Sequence, residues 1–375
     1  MLDTDLSAAP EDDPGLRAAV GHVRARTIVL PGLKLLFMPV PKAAWTSMLW
    51  ELTGPAGLTA EDFRDSVKPE VSTTMMVHDE KVWGSRGLRL RDLDEERREE
   101  ALTGDGWLRF TVVRDPGARL WSAWQSKFLL REPVYRGFHG EKDWYPRRPG
   151  SPEAALSDFR RFVAALRDGF DEEHRMRDPH WGRQTDVVGL LPLTHMGRIE
   201  RLDETVELVR AHVQAHGGTP GTGPLRRENV TPLSYDPLVF DDRAAAQANE
   251  LYAADLVAFG YEQIRPGSDP EARIRWDARF EDQKPQMRAL VERHERLHLV
   301  VEAFRARERE RAGRIARLRA ERTEARAEVR RLKRRVTALN ADKKALSATN
   351  RGMSRSLSWR ITRPLRSVRR LLPRP

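Results

Sequence analysis

The sequence predicts an α/β fold with a central parallel sheet flanked by helices, and two observations carry this prediction. Residues 35–53 and residues 108–130 each begin as a short apolar strand and continue directly as an apolar-striped helix. Helical sequence separates the two units, as the crossover between parallel strands requires. Because ligands of such sheets bind beyond the carboxyl ends of the strands, we expect a site at the two strand-to-helix junctions.

The first junction combines a lysine with the start of a helix. A strand-like TIVL at 27–30 and a Pro-Gly turn lead into LKLLFMPV, and a helix is predicted from Trp45 to the Gly-Pro pair at 54–55. Lys42 lies between strand and helix, with Thr46 and Ser47 in the first helical turn. A lysine at the end of a strand commonly extends its ammonium into solvent and has no further role. Here, however, backbone amides, a helix N-terminus and an ammonium converge, as they do in phosphate-binding sites. The Walker pattern GxxxxGK[ST] is absent, which weakens the nucleoside-triphosphate alternative.

The second junction combines an arginine with a serine. Arg114 follows the apolar strand WLRFTVV, and Asp115 and Pro116 are typical of a helix N-cap and first position. The helix places Leu120, Trp124 and Phe128 on one apolar stripe, with Ser122 roughly opposite. We predict that Arg114 and Ser122 form a second anion site, although Arg114 could instead pair with Asp115.

Composition excludes several classes of protein. The chain has no cysteine, which removes disulfides, thiolate nucleophiles and cysteine-ligated zinc. Residues 301–375 hold 24 Lys and Arg against 7 Asp and Glu, leaving 42 against 49 in residues 1–300. Because the basic excess is confined to the tail, the net charge of +10 does not predict nucleic-acid binding. No signal peptide or apolar stretch long enough to cross a membrane is found, and a cytoplasmic protein is expected.

The organisation along the chain follows from composition and periodicity. Further helices are predicted at 91–102, 153–168 and 243–260, with a strand in LTHMGRIERL. The predicted parts are a flexible segment at 1–26, the α/β domain at 27–265, a helical connector at 266–300, a coiled-coil helix at 301–349 and a basic amphipathic tail at 350–375.

The last two parts suggest two kinds of attachment. Apolar residues recur at alternating spacings of three and four from Ile315 to Leu346, with charged interruptions at Arg322 and Lys343. This heptad pattern predicts a homo-oligomer, dimer or trimer, through residues 301–349. In residues 350–375, Trp359, Ile361 and Leu365 lie among arginines, which suits an anionic membrane surface at the inner face of the plasma membrane. Alternatively, residues 350–375 form a solvated arm that contacts no membrane.

At these motifs the sequence resembles the sulfotransferase superfamily, most closely the family-2 carbohydrate sulfotransferases. PKAAWTS resembles the loop that binds the 5′-phosphosulfate, and VVRDPGARLWSAW resembles the motif that binds the 3′-phosphate. Similar blocks follow in the same order: DPHWGRQ at 178–184, MGRIERLDE at 196–204, Asn229 and ELYAADLVAFGYE at 250–262. The sequence departs from the family at Ala44, where a glycine is usual at or beside this position, and at Trp45, which replaces a small residue. SLSWRITRPLR is similar to the termini of many bacterial cell-surface polysaccharide enzymes.

The resemblance implies a P-loop-like sulfotransferase fold and 3′-phosphoadenosine 5′-phosphosulfate, PAPS, as the sulfuryl donor. Lys42 would neutralise the leaving group, Arg114 and Ser122 would hold the 3′-phosphate, and no metal is implied. The general base is expected between the motifs, where His78 has a suitable ordinary pKa of ~6.5, with Glu80 and His180 as alternatives. The 5′ group would be bound by the backbone amides of five consecutive residues, Ala43, Ala44, Trp45, Thr46 and Ser47.

The implied acceptor is a hydroxyl of a carbohydrate or glycolipid, and neither its identity nor the sulfated position follows from the sequence. Arg183, Gln184 and the loop YRGFHGEKDWYPRR are candidate contacts to it. Two other functions stay open: a P-loop kinase, which would need Mg²⁺ and a Walker-type lysine, and an adaptor that binds nucleotide without turnover.

Overall fold

The computed structural model describes residues 14–66, 73–138, 142–170, 178–226 and 230–364. Asn229 and Leu365, which the sequence singled out, lie outside these residues. The chain divides into two compact units, Met1–Val301 and Glu302–Pro375. Each unit is described separately.

The first unit is built on a four-stranded sheet. Its strands are β1 (Ile28–Leu30), β2 (Leu35–Phe37), β3 (Leu108–Val113) and β4 (His195–Arg198), in the order β1-β2-β3-β4. β2, β3 and β4 run parallel, which confirms the predicted parallel arrangement, and β1 adds an antiparallel strand at one edge. All residues of β1, β2 and β3 are buried, as expected for strands covered on both faces.

The register of β2 against β3 brings the two junctions to the same edge of the sheet. Phe37 pairs with Phe110, and their rings stack with centroids 4.9 Å apart. The Thr111 hydroxyl donates a hydrogen bond of 2.7 Å to the carbonyl of Met38, one residue past β2. The chain that leaves β2 therefore lies beside the carboxyl end of β3.

Five helices of the first unit, α2, α4, α5, α6 and α9, begin within four residues of the predicted starts, whereas α1 occupies residues 14–26 of the segment that was predicted to be flexible. α2 starts at Trp45, and the Asp115 side chain caps α5 by accepting a 2.7 Å hydrogen bond from the amide of Ala118. A π-helical turn, Gln125–Leu129, follows α5. The helices are α1 (Pro14–Arg26), α2 (Trp45–Thr53), α3 (Glu80–Ser85), α4 (Glu95–Thr103), α5 (Pro116–Trp124), α6 (Pro152–Arg167), α7 (Thr185–Val188), α8 (Leu202–Ala215), α9 (Asp242–Leu251), α10 (Ala253–Phe259) and the start of α11 (Pro270–Arg355).

The single helix predicted over 243–260 is wrong: two helices, α9 and α10, occupy it. The break is at Tyr252, whose φ of −111° and ψ of 19° leave the helical region. Its ring is buried and its hydroxyl donates a hydrogen bond to the carbonyl of Trp181, so a tertiary contact overrides the local helical pattern. Gly260 ends α10 in the left-handed conformation, with φ 62°.

The described part of the second unit is helical. α11 continues to Arg355, and Ser356 caps the short α12 (Leu357–Ile361). The side chains of the predicted heptad seam are exposed along this helix. Among the described residues, no helix is long and apolar enough to span a bilayer.

Candidate functional site

The loop after β2 has an unusual backbone. Lys42 and Ala44 both have positive φ, 69° and 56°, although neither is glycine. A side chain in this left-handed region costs roughly 1–2 kcal/mol per residue. Ala44 is the position where the sequence lacks the family's usual glycine, so the chain keeps a glycine-like backbone there despite the methyl group. Such strain is typical of loops that turn their amides toward a ligand.

The loop leads into an uncapped helix N-terminus. The amide of Met48 donates to the carbonyl of Ala44 at 3.0 Å where α2 begins. Ala44 has no side-chain oxygen to cap the amides that precede Met48. The positive end of the helix dipole therefore faces the same space as the loop, which favours an anion.

Two arginines hold the carbonyls of this loop. Arg114 follows β3 and donates through Nη1 to the carbonyl of Lys42 at 3.1 Å. Arg119 is 1% exposed and donates through Nε to the carbonyl of Pro41 at 3.0 Å. The structure thus brings Lys42 and Arg114 together, as the predicted sheet topology requires.

Arg114 is itself held at its backbone by a buried glutamine. Gln184 accepts a 3.0 Å hydrogen bond from the Arg114 amide and donates one of 2.8 Å to the Arg114 carbonyl. Asp255 accepts from the amides of Gln184 and Thr185 at 2.8 and 2.9 Å, and from the Thr185 hydroxyl at 2.8 Å. Gln184 was a candidate acceptor contact, but its amide group positions Arg114 instead.

We expect Asp255→Ala to destabilise the protein by about 3 kcal/mol, because it leaves buried amide and hydroxyl donors without their charged acceptor. Urea unfolding measures this change. Glu250→Ala is the matched control, since Glu250 is an exposed residue of α9 whose ion pair with Arg167 is 3.5 Å long. That variant should change the free energy of unfolding by no more than about 0.5 kcal/mol. Equal effects of the two substitutions would contradict the role given to Asp255.

Ser122 lies on a helix that has no solvent face. All nine residues of α5 are buried, because the helix is packed into a cluster of aromatic side chains around Trp121, Trp124 and Phe128. Ser122 is 4% exposed. The serine that contacts Lys42 is Ser126, one turn later, whose hydroxyl oxygen lies 3.0 Å from Nζ.

The Lys42 ammonium is half-buried among other cations. Burial is the largest cause that lowers its pKa, followed by the charge of Lys127 and then those of Arg114 and Arg119, while Glu132 acts in the opposite direction. The resulting pKa is about 7, well below the usual value for lysine. A cation so disfavoured indicates a place prepared for negative charge.

His78 lies against the donor loop. Its Nε2 is 2.9 Å from the hydroxyl of Thr46, and its ring meets the Trp45 indole edge-on with centroids 4.6 Å apart. Burial, and then the charges of Arg26 and Lys127, lower the pKa of His78 to about 3. The imidazole is therefore neutral near pH 7, but with this pKa it is a weaker base in the free protein than its ordinary value of ~6.5 led us to expect.

The two alternative bases have different surroundings. Glu80 is shared by three arginines, with side-chain distances of 2.7 Å to Arg26, 3.2 Å to Arg91 and 3.6 Å to Arg89. His180 has its Nδ1 2.6 Å from Oδ1 of Asp178. Burial and the charge of Lys127 lower the pKa of His180 to about 4, although Asp178 opposes them.

Lys127 is a central residue that the sequence did not reveal. Its Nζ lies 2.7 Å from Glu132 and 4.8 Å from the ring centre of Tyr135. Its charge lowers the pKa of Lys42, His78 and His180. Lys127 belongs to the π-helical turn, where side chains depart from the α-helical spacing on which the sequence prediction depended.

Helix α1 adds two more polar groups to this space. The charges of His180, Asp178 and Glu80 act on His22, whose pKa falls to about 4 chiefly through burial. Its Nε2 is buried and has no hydrogen-bond partner among the described residues, and the same holds for Nε1 of Trp45. Arg26, one turn after His22, lies 5.7 Å from the Trp45 ring centre. Buried polar atoms without a partner are uncommon, so these two ring nitrogens are candidate contacts to a ligand.

Among the residues that the structure describes, no cluster of three or more His, Cys, Asp or Glu could hold a metal ion. Comparison with models of known families gives a match to the Sulfotransferase family over residues 25–262, more than half of the chain. No curated protein matches. No solved structure matches either.

Proposed function

The chain belongs to the sulfotransferase family, and we propose that it transfers a sulfuryl group from PAPS to a hydroxyl of a carbohydrate or glycolipid. One observation supports this most strongly: the left-handed loop at Lys42 and Ala44 is tied by the Arg114 guanidinium to the next strand. Family membership favours this reaction over the kinase alternative, and the half-buried Lys42, whose pKa is lowered, favours a catalyst over an adaptor.

The chain's residues fit the anionic donor. Burial, and then the charges of Lys127, Arg114 and Arg119, lower the pKa of Lys42, and an anionic donor would compensate these positive charges. The amides of Ala44 to Ser47 would hold the 5′-phosphosulfate at the N-terminus of α2, while the amide of Ala43 donates to the carbonyl of Val40 at 3.2 Å. Arg114 and the hydroxyl of Ser122 would hold the 3′-phosphate.

The proposed step needs no covalent intermediate. When bound, PAPS supplies the sulfuryl group: the acceptor oxygen forms a bond to sulfur as the bond from sulfur to the bridging oxygen breaks. The leaving 3′-phosphoadenosine 5′-phosphate, PAP, keeps the electron pair of the broken bond, and the Lys42 ammonium stabilises its charge. His78 takes the proton of the acceptor hydroxyl.

Two polar ring nitrogens near the donor loop suit a sugar. His22 and Trp45 each present an unpartnered ring nitrogen, and the imidazoles near them are neutral, so they can exchange hydrogen bonds with hydroxyl groups. The Trp45 side chain also supplies an aromatic surface of the kind that lines ligand sites. This arrangement supports a carbohydrate acceptor in preference to a small apolar alcohol.

The function is tested by incubating the protein with PAPS that carries radiolabelled sulfate and envelope glycans from its host. We expect the label to appear in a glycan or glycolipid. The Lys42→Met variant should leave the glycans unlabelled. If the label were released only as inorganic sulfate, acceptor transfer would be rejected.

Donor binding should take up a proton. Lys42 has a pKa of about 7 in the free protein, so at about pH 8 it is mostly neutral, and a neighbouring phosphate raises its pKa again. PAP binding at that pH should therefore capture protons, and affinity should fall as the pH rises above 7. Calorimetry in two buffers of different ionisation enthalpy measures the uptake, which Lys42→Met should remove. Identical binding heats in both buffers would contradict a depressed Lys42 pKa.

Residues 350–375 attach the enzyme to the anionic inner face of the plasma membrane in this proposal. The described part of this tail exposes Trp359 by 39% and Ile361 by 70%, next to Arg360 and Arg363. Deleting 350–375 should abolish co-sedimentation with vesicles that contain phosphatidylserine, while the PAP affinity stays unchanged. Undiminished co-sedimentation of the truncated chain would reject this attachment.

A further inference from the structure

An apolar stripe on α11 lies uncovered in the second unit. A helix in a protein gains most of its stability by packing its apolar face against a partner. An extended apolar face that stays exposed marks a docking surface. The stripe therefore needs a partner. Its apolar residues are between 41% and 64% exposed: Ile315, Leu318, Val329, Leu332, Val336, Leu339 and Leu346.

We propose that the stripe pairs with the same stripe of a second copy of this chain, as a parallel, in-register, two-stranded coiled coil over residues 315–346. This assembly is independent of the enzymatic function proposed above. Three features of the sequence on this helix determine the partner, the number of strands and their direction.

The first feature is the choice of seam residues. In heptad notation, β-branched residues Ile315, Val329 and Val336 occupy a positions, and four of the five d positions hold leucine. β-branched a with leucine at d favours two parallel strands over three or four. The d positions are Leu318, Ala325, Leu332, Leu339 and Leu346.

The second feature is the charge on either side of the seam. In a parallel pair, each g residue lies near the e residue five positions later on the other helix. Glu321 then faces Arg326 of the other copy, and Glu328 faces Lys333. The two later pairs, Arg335 with Asn340 and Asp342 with Ser347, contain no like charges, and Arg314 with Arg319 at the N-terminal end is the one repulsive pair.

The third feature is the placement of the two charged seam residues. Arg322 and Lys343 occupy a positions, where an unpaired cation would weaken the core. Each is preceded by an acidic g residue, Glu321 or Asp342, which a parallel partner places beside the cation. Polar a residues of this kind fix the register and the number of strands.

The antiparallel arrangement of the same heptads is less favourable. It sets e against e and g against g, so Arg326 faces Lys333 of the other copy and Glu321 faces Asp342. Glu328 with Arg335 is its one attractive pair among these. Like charges across such a seam destabilise it, and the charge pattern therefore selects the parallel direction.

Sedimentation equilibrium of the full chain tests the number of strands. We expect a mass of two 43.0 kDa chains. The double variant Leu332→Asp with Leu339→Asp should sediment as one chain, because both side chains are exposed in the protomer and contribute only to pairing. Ala341→Asp, on the outer face, is the control and should stay dimeric. A single chain or a trimer in the unaltered protein would overturn the proposal.

Cross-linking tests direction and register, and the absence of native cysteine makes it unambiguous. Under mild oxidation Ala325→Cys, at a d position, should form a covalent dimer, because identical d residues meet in a parallel in-register pair at disulfide distance. Ala327→Cys, on the outer face, is the matched control and should not. In the antiparallel pair Ala325 meets Val336 instead. No cross-link at 325, or equal cross-linking at 325 and 327, would therefore overturn the parallel register.

Discussion

Lys42→Met is expected to lower the rate of sulfuryl transfer by roughly 10³-fold. Removing a single preorganised donor from a developing negative charge costs about 2.7–4 kcal/mol in comparable sites. Lys42 is such a donor in our account: its carbonyl is fixed by Arg114 and its ammonium lies beside Ser126. Methionine keeps the length and apolar contacts of the side chain, so the loss reports on charge. Single-turnover rates with saturating PAPS measure it.

Two further variants separate leaving-group stabilisation from binding. Arg114→Ala should chiefly weaken PAP binding, with a smaller loss of rate at saturating donor, since its proposed partner is the non-reacting 3′-phosphate. Lys284→Met is the control for loss of a lysine, because Lys284 pairs with Glu281 on α11. Unchanged turnover in Lys42→Met would remove this mechanism and leave the adaptor alternative.

His78→Ala is expected to lower the transfer rate by roughly 10²- to 10⁴-fold, the usual contribution of a positioned general base. PAP affinity should change much less, because the neutral imidazole contacts Thr46 through its side chain and carries no charge toward the phosphates. Single-turnover transfer to the acceptor, with PAP binding measured separately by calorimetry, gives both quantities.

His180→Ala distinguishes His78 from its strongest alternative. Asp178 and Tyr135 surround His180, an arrangement that orients an imidazole as well as His78 is oriented. If His78 is the base, His180→Ala should retain more activity than His78→Ala. A greater loss at His180, with His78→Ala close to normal, would transfer the role of base to His180. Glu80 is less suited because three arginines surround its carboxylate.

The backbone of the site could be predicted from sequence because it depends on local rules. Strand-to-helix units at Lys42 and Arg114, combined with parallel pairing, require the two residues to meet at one sheet edge. Asp115 and Pro116 fix the start of α5 for equally local reasons. These features follow from capping, turn chemistry and apolar periodicity, each of which acts within a few residues.

The remaining site residues depend on contacts that no local pattern records. Lys127 enters the site through a π-helical turn, and His22 arrives on a helix that lies almost entirely before the family-like region. Arg119 stands within the resembling motif, yet its role in holding Pro41 appears only once the loop and α5 are packed together. Tyr252 breaks a helix because of a distant carbonyl at Trp181. Tertiary packing decides each of these.

The central claim is that the loop at Lys42 and the pair Arg114 and Ser122 bind opposite ends of one nucleotide. A crystal structure of the complex with PAP tests it most directly. Our account predicts the 5′-phosphate against the amides of residues 44–47, with Arg114 and Ser122 in contact with the 3′-phosphate. A 3′-phosphate bound elsewhere, away from Arg114 and Ser122, would contradict it.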